Sequence, residues 1–116
     1  MSTRATIHFE NADGQAQAII YRHSDGYPEG VGKDLERFFA ACTELEGTYS
    51  GPRFGDPTYL AAKWIVWDSQ INRDRWRASL DFLGIGVVLT DPGDIEYRYH
   101  VRCVAPRPTV RVEEVA

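Results

Sequence analysis

Three features of the chain predict an α+β fold, an antiparallel sheet with two helices packed on one face. Apolar and polar residues alternate near both ends, the pattern of half-buried strands. The middle carries two stretches with helical apolar spacing instead. Turn-forming residues separate these stretches at short intervals. The predicted order is ββ-α-α-βββ in one domain spanning residues 1–116, an ordinary domain length.

The first hairpin is read from residues 3–22. Ala5, Ile7 and Phe9 point one way and Arg4, Thr6, His8 and Glu10 the other, with Asn11-Ala12-Asp13-Gly14 as the turn before a strand from Gln17 to Arg22. The segment His23 to Gly30 breaks the pattern. In the first helix Leu35, Phe38, Phe39, Cys42 and Leu45 form one apolar stripe, Asp34 and Glu36 occupy the first turn, and Gly47 supplies the stop. Asp56-Pro57 marks a second helix start, an acidic cap followed by proline at the first helical position. That helix is expected to reach Ile71, with Leu60, Trp64, Trp67 and Ile71 on one side, widened by Ala61, Ile65 and Val66. An Arg-rich connection, Asn72 to Arg77, should follow.

The last third reads as strands. Ile85–Thr90 and Ile95–Val104 flank Asp91-Pro92-Gly93-Asp94, a hairpin turn, and Thr109–Val115 adds an edge strand open to dimerisation by strand addition.

Composition narrows the function classes. Hydrophobic residues make up 43% and charged residues 26%, which is globular usage. Thirteen Lys and Arg against seventeen Asp and Glu give −4, so a generally basic nucleic-acid coat protein is excluded and direct nucleic-acid binding is not expected. No apolar run approaches the roughly 18 residues of a membrane helix, and the N-terminus shows no signal-peptide core; a cytoplasmic protein is expected. Cys42 and Cys103 lie on apolar faces and should be reduced, buried thiols. Laid on the predicted strands, Arg4, His8, Arg22, Arg98, His100, Arg102 and Arg111 share the face away from the helices, opposed by Glu10, Glu96 and Glu113. Residues 29–46 hold Glu29, Asp34, Glu36, Glu44 and Glu46 against Lys33 and Arg37, an acidic helix surface.

Several groups invite a chemical reading. Tyr21-Arg22-His23-Ser24-Asp25-Gly26-Tyr27-Pro28-Glu29-Gly30 places an imidazole, a carboxylate, a guanidinium and two phenols at a strand end. Arg22, His23, Asp25 and Tyr27 could line a nucleotide pocket, with Arg22 on phosphate and Tyr27 stacking a base. Asp25-Gly26 is equally an ordinary turn. His8 and His100 would face the same side if their strands pair, an arrangement suited to acid–base cleavage of RNA. Arg73-Asp74-Arg75-Trp76-Arg77 suits phosphate pairing with stacking, or an exposed connection whose Trp76 folds onto the core. Asp56, Asp68, Asp81, Asp91 and Asp94 show no metal-ligand spacing. No phosphate loop, nucleophile elbow or triad is present, so neither a cofactor, a metal nor catalysis is expected.

The stretch Tyr21 to Pro28, with the helix after it and the later Tyr59-Leu60-Ala61-Ala62, resembles a family of small phage and prophage proteins that carries Tyr-Arg/Lys-His-x-Asp-Gly-Tyr-Pro between a first hairpin and a helix. The resemblance implies an anti-defence protein, most concretely an anti-CRISPR, that binds a bacterial immune effector without chemistry of its own. Glu29, Asp34, Glu36, Glu44 and Glu46 would contact basic residues of that partner. The alternatives are a small-molecule or cyclic-nucleotide binder using the loop from Arg22 to Tyr27, and an RNA- or nucleotide-cleaving enzyme using His23 or His100.

Overall fold

The structure, a computed structural model, describes residues 2–116. It is an α+β fold of strands β1 (Ala5–Glu10) and β2 (Ala16–Arg22), helices α1 (Lys33–Thr43) and α2 (Pro57–Arg75), and strands β3 (Ile85–Val88), β4 (Tyr97–Arg102) and β5 (Thr109–Glu114). One wide helical turn, Pro28–Gly32, leads into α1.

The sheet order is β3-β2-β1-β4-β5, and it is mixed rather than antiparallel throughout. β1 and β2 form the expected hairpin, with a bulge between Phe9 and Glu10. β4, however, runs parallel to β1, pairing His8 with His100. The expected hairpin between Ile85–Thr90 and Ile95–Val104 does not form, because β3 pairs with β2 while β4 lies two strands away. The Asp91-Pro92-Gly93-Asp94 segment belongs instead to a crossover, residues 89–96. It passes over the sheet face opposite the helices, where Asp91 bonds Thr6, His8 and Arg98. We call this segment the strap.

The core lies between the sheet and the helices. Ala5, Ile7, Phe9, Ile20, Tyr99, Val101 and Cys103 face Leu35, Phe38 and Phe39 of α1 and Leu60, Ala61 and Trp64 of α2. The α1 stripe is buried as its spacing predicts. α2 departs from expectation in two ways. It continues to Arg75, so the supposed Arg-rich connection is mostly helix. Its buried stripe runs through Leu60, Ala61, Trp64, Asp68 and Asn72, while Val66 and Ile71 are exposed. The helix is rotated toward two polar residues because Arg22 of β2 lies beneath them. Trp76 does fold back, lying under the Arg22 guanidinium at 4.6 Å.

Among the described residues no helix is long and apolar enough to cross a membrane. Both cysteines are free and buried.

Candidate functional site

Each face of the sheet carries a polar network, and the two are built differently. Under the helices, Arg22 is fully buried, which corrects its expected position on the open face. Strand parity explains this: Ala18, Ile20 and Arg22 pair with Phe9, Ile7 and Ala5, all core residues. Arg22 donates to Asp68 Oδ1 at 2.7 Å and to Asp34 Oδ2 at 3.5 Å. Asn72 donates to Asp68 at 2.6 Å, and Arg75 and Arg37 reach Asp34 from the rim at 2.9 and 3.2 Å. Asp34 is therefore fully buried, correcting its place in the expected acidic contact surface. Burial pushes the Asp68 carboxyl up to about 6 despite the opposing pull of Arg22.

On the open face the hub is Asp91, held by the strap. Its carboxylate accepts from Thr6 Oγ1 at 2.6 Å, Arg98 Nε at 2.9 Å and the Gly93 amide at 2.8 Å, with His8 Nε2 at 2.8 Å. Partial burial pushes Asp91 up, but the bonds from Arg98, Thr6, His8 and Gly93 outweigh it and hold the carboxyl well below the usual range. Beside it His100 Nδ1 lies 2.7 Å from Glu10 and Nε2 lies 3.0 Å from Glu113. Carboxylates only accept, so both contacts are hydrogen bonds at once only in the imidazolium form. Arg98 also reaches Glu113 at 3.2 Å, and Arg102 lies 3.8 Å from Glu10. The strap is anchored further by Arg4 to Asp94 at 3.0 Å.

Apart from Arg22, the predicted Arg/His face exists, but most of its cations are neutralised by neighbouring carboxylates. His8 and His100 do lie side by side, their rings tilted by 41° with centroids 5.4 Å apart, where the parallel pairing places them. His8, Glu10 and His100 offer donors within 4.8 Å of one another, the set on this face that could hold a divalent ion. The carboxylate of that set, Glu10, already takes His100 and Arg102, and His8 is bonded to Asp91, so a metal would have to displace these contacts.

The loop after β2 is mainly architectural. His23 is exposed and bonds Tyr21 OH at 2.8 Å, while Tyr27 OH donates to Asp25 at 3.2 Å, so His23 and Asp25 are engaged separately. Asp25 adopts a positive φ of 56°, and its carbonyl accepts from Val31 N–H at 2.9 Å. Gly26 passes so close to the first strand that a Cβ would lie 2.8 Å from that of Ala5. Its carbonyl accepts from the buried Tyr99 hydroxyl at 2.6 Å. With Arg22 buried, this loop lacks the phosphate ligand that the nucleotide reading assigns to it.

A third feature lies between the helices on their outer side. A groove of about 460 Å³ is lined by Phe38, Leu45, Tyr59, Lys63, Val66 and Trp67, among others, and is mainly apolar. Tyr59 and Val66 are exposed within it. Glu44 and Glu46, both exposed, are not part of its lining; Glu46 belongs to a separate depression with Arg53 and Arg107. Glu29 and Glu36, also exposed, line a separate depression with Val110 and Val112 of β5. The remaining acids of the expected contact set are thus scattered rather than gathered on one patch.

Neither thiol is an available nucleophile: burial raises Cys42 and pushes Cys103 up to about 12.

Asp68, Asn72, Thr6 and Asp91 are the residues that sequence reasoning missed as network members. The i,i+4 spacing of Asp68 and Asn72 and the core parity of Arg22 were the available signals.

No protein-family model, curated protein or solved structure matches the chain.

Proposed function

We propose that the protein is a phage- or prophage-encoded anti-defence protein of the anti-CRISPR type, which inhibits a bacterial immune effector by binding it without chemistry of its own. The observation that carries this reading is the α1–α2 groove, a mainly apolar depression in which Tyr59 and Val66 are exposed. An apolar centre with a polar rim is the usual anatomy of a protein interface. Exposed acids elsewhere on the helix side, Glu36, Glu44 and Glu46 among them, favour a basic partner surface, such as one that otherwise binds nucleic-acid phosphate. The polar networks support the same reading, because their histidines and carboxylates are engaged with each other.

The test is protection of phage in hosts carrying defined CRISPR systems, with purification of the effector complex on the tagged protein. Val66→Asp places a charge in the groove centre; loss of an interface anchor of about 2 kcal/mol weakens binding roughly thirtyfold. Glu44→Lys with Glu46→Lys should weaken it further. Both variants should melt like the parent, since all three positions are exposed. Protection unchanged in both variants, or no protection and no effector recovered with the parent, defeats the proposal.

A further inference from the structure

The two edges of the sheet are unequal, and the geometry points to β3 as the seam of a homodimer in which two copies pair edge to edge about a twofold axis. From Phe82 to Thr90 the chain carries no charged side chain, although β3 is an edge strand. Edge strands normally carry charges, prolines or bulges that block pairing with another chain. β5 is guarded in this way by Arg111, Glu113 and Glu114. The region around β3 displays large apolar groups instead: Leu80 and Leu89 are fully exposed, Val87 is 72% exposed and Phe82 52%.

Backbone geometry selects the register. The His23 amide donates to the Gly84 carbonyl at 2.9 Å, extending the β2–β3 pairing by one residue. Hydrogen-bonded and non-hydrogen-bonded pairs alternate along an antiparallel ladder. Gly84, Gly86 and Val88 therefore turn their amides and carbonyls toward β2, while Ile85 and Val87 turn theirs outward. An antiparallel copy centred on Val87 pairs Val87 with Val87 and Ile85 with Leu89, so the outward groups of both chains meet. Ile85 and Val87 then lie in one apolar row on the helix side, with Leu89 at the end of the strand beside them and no like charges opposed. Covering Phe82, Val87 and Leu89 on both copies, with the backbone between them, removes apolar surface that the chain itself leaves exposed beside an unguarded edge. Pairing β3 with β5 of another copy would leave an edge free at each end and grow without closing, whereas β3 with β3 closes at two.

Sedimentation equilibrium tests this directly. The parent should have twice the 13.1 kDa chain mass, Val87→Lys should fall to a single chain mass, and Val112→Lys on β5 should remain a dimer. Leu89→Lys, at a fully exposed position, provides a second β3 variant with the same expected loss. A cooperative melt for each variant shows that the fold is intact. A monomeric parent, a dimer that survives both β3 substitutions, or dissociation by Val112→Lys alone overturns the assignment.

Discussion

Asp68 and Asp91 are both carboxylates bonded to a guanidinium, on opposite faces of one sheet, yet their acidities move in opposite directions. Asp68 is pushed up to about 6, while Asp91 is held well below the ordinary range. The difference is desolvation against hydrogen bonding. Asp68 lies beneath α2 with Arg22 and Asn72 as its bonded partners and Asp34 repelling it nearby. Asp91 keeps some contact with water and gathers the Thr6 hydroxyl, the Arg98 fork, the His8 ring and the Gly93 amide. A buried pair holds charge only as well as its few partners allow. A strap at the surface can recruit more of them.

The largest effect should come from breaking the buried network. Arg22→Met leaves Asp68 and part of Asp34 unpaired under the helices, and loss of one partner from a buried pair costs about 3–5 kcal/mol. Adding Asp68→Asn should restore part of that loss, because one orphaned carboxylate is removed. Urea melts of the single and double variants check both outcomes. If the double variant is no more stable than Arg22→Met alone, the orphaned charge at Asp68 is not the source of the cost.

Next comes the strap. Asp91→Ala removes the acceptor that ties residues 89–96 to β1 and β4, and a charged hydrogen-bond hub of this kind is worth about 2–3 kcal/mol. The loss should shrink toward acid. A carboxylate held below its unfolded value contributes stability above the unfolded value near 4 and loses it as pH falls further. The melting difference between parent and Asp91→Ala should therefore narrow below pH 4. A difference independent of pH would show that Asp91 acts through packing alone.

Asp68 should show the reverse sign and a smaller effect. Its folded-state value lies above the unfolded one, so the folded protein binds the extra proton between about pH 4 and 6. Its contribution is fully present below pH 4 and is lost as pH rises through 6. Asp68→Asn should remove that decline from the thermal-stability profile, while Asp91→Ala should leave it in place. A profile that declines equally in Asp68→Asn assigns the titration to another group.

The comparison also shows what could be read from the sequence. Alternation in β1 separated Ala5, Ile7 and Phe9 from Thr6, His8 and Glu10, and helical spacing located the α1 core, because both signals are local. The same parity rule puts Arg22 in phase with Ile20, so its burial was legible, but a guanidinium at a strand end is ordinarily solvated and its charge suggested the wrong face. α2 was misoriented for a related reason: its burial depends on Arg22 recruiting Asp68 and Asn72 across 46 residues of chain or more. Asp91-Pro92-Gly93-Asp94 has the chemistry of a hairpin turn, and only the pairing of β4 with β1 turns it into a strap. Long-range pairing of this kind leaves no periodic trace. The exposed acids were legible as surface residues except Asp34, whose first-turn position is equally good for capping a dipole and for meeting a buried arginine.

The smallest expected effect separates the two carboxylates that share His100. Glu10 is buried and bonds Nδ1 at 2.7 Å, with Arg102 beyond it; Glu113 is at the surface and bonds Nε2 at 3.0 Å. Both glutamates hold one imidazole ring, but only the buried one lies where water cannot replace it. Glu10→Gln should cost about 1.5 kcal/mol, the low end of the range for a hydrogen bond to a charged group. Glu113→Gln should cost less, and most of that loss should disappear when salt is raised, since an exposed pair is screened. Paired thermal melts at low and high salt make the distinction. Equal, salt-insensitive losses at the two positions would mean that the open face behaves as a buried site, and that its difference from the Asp68 network is one of partner number rather than of solvent.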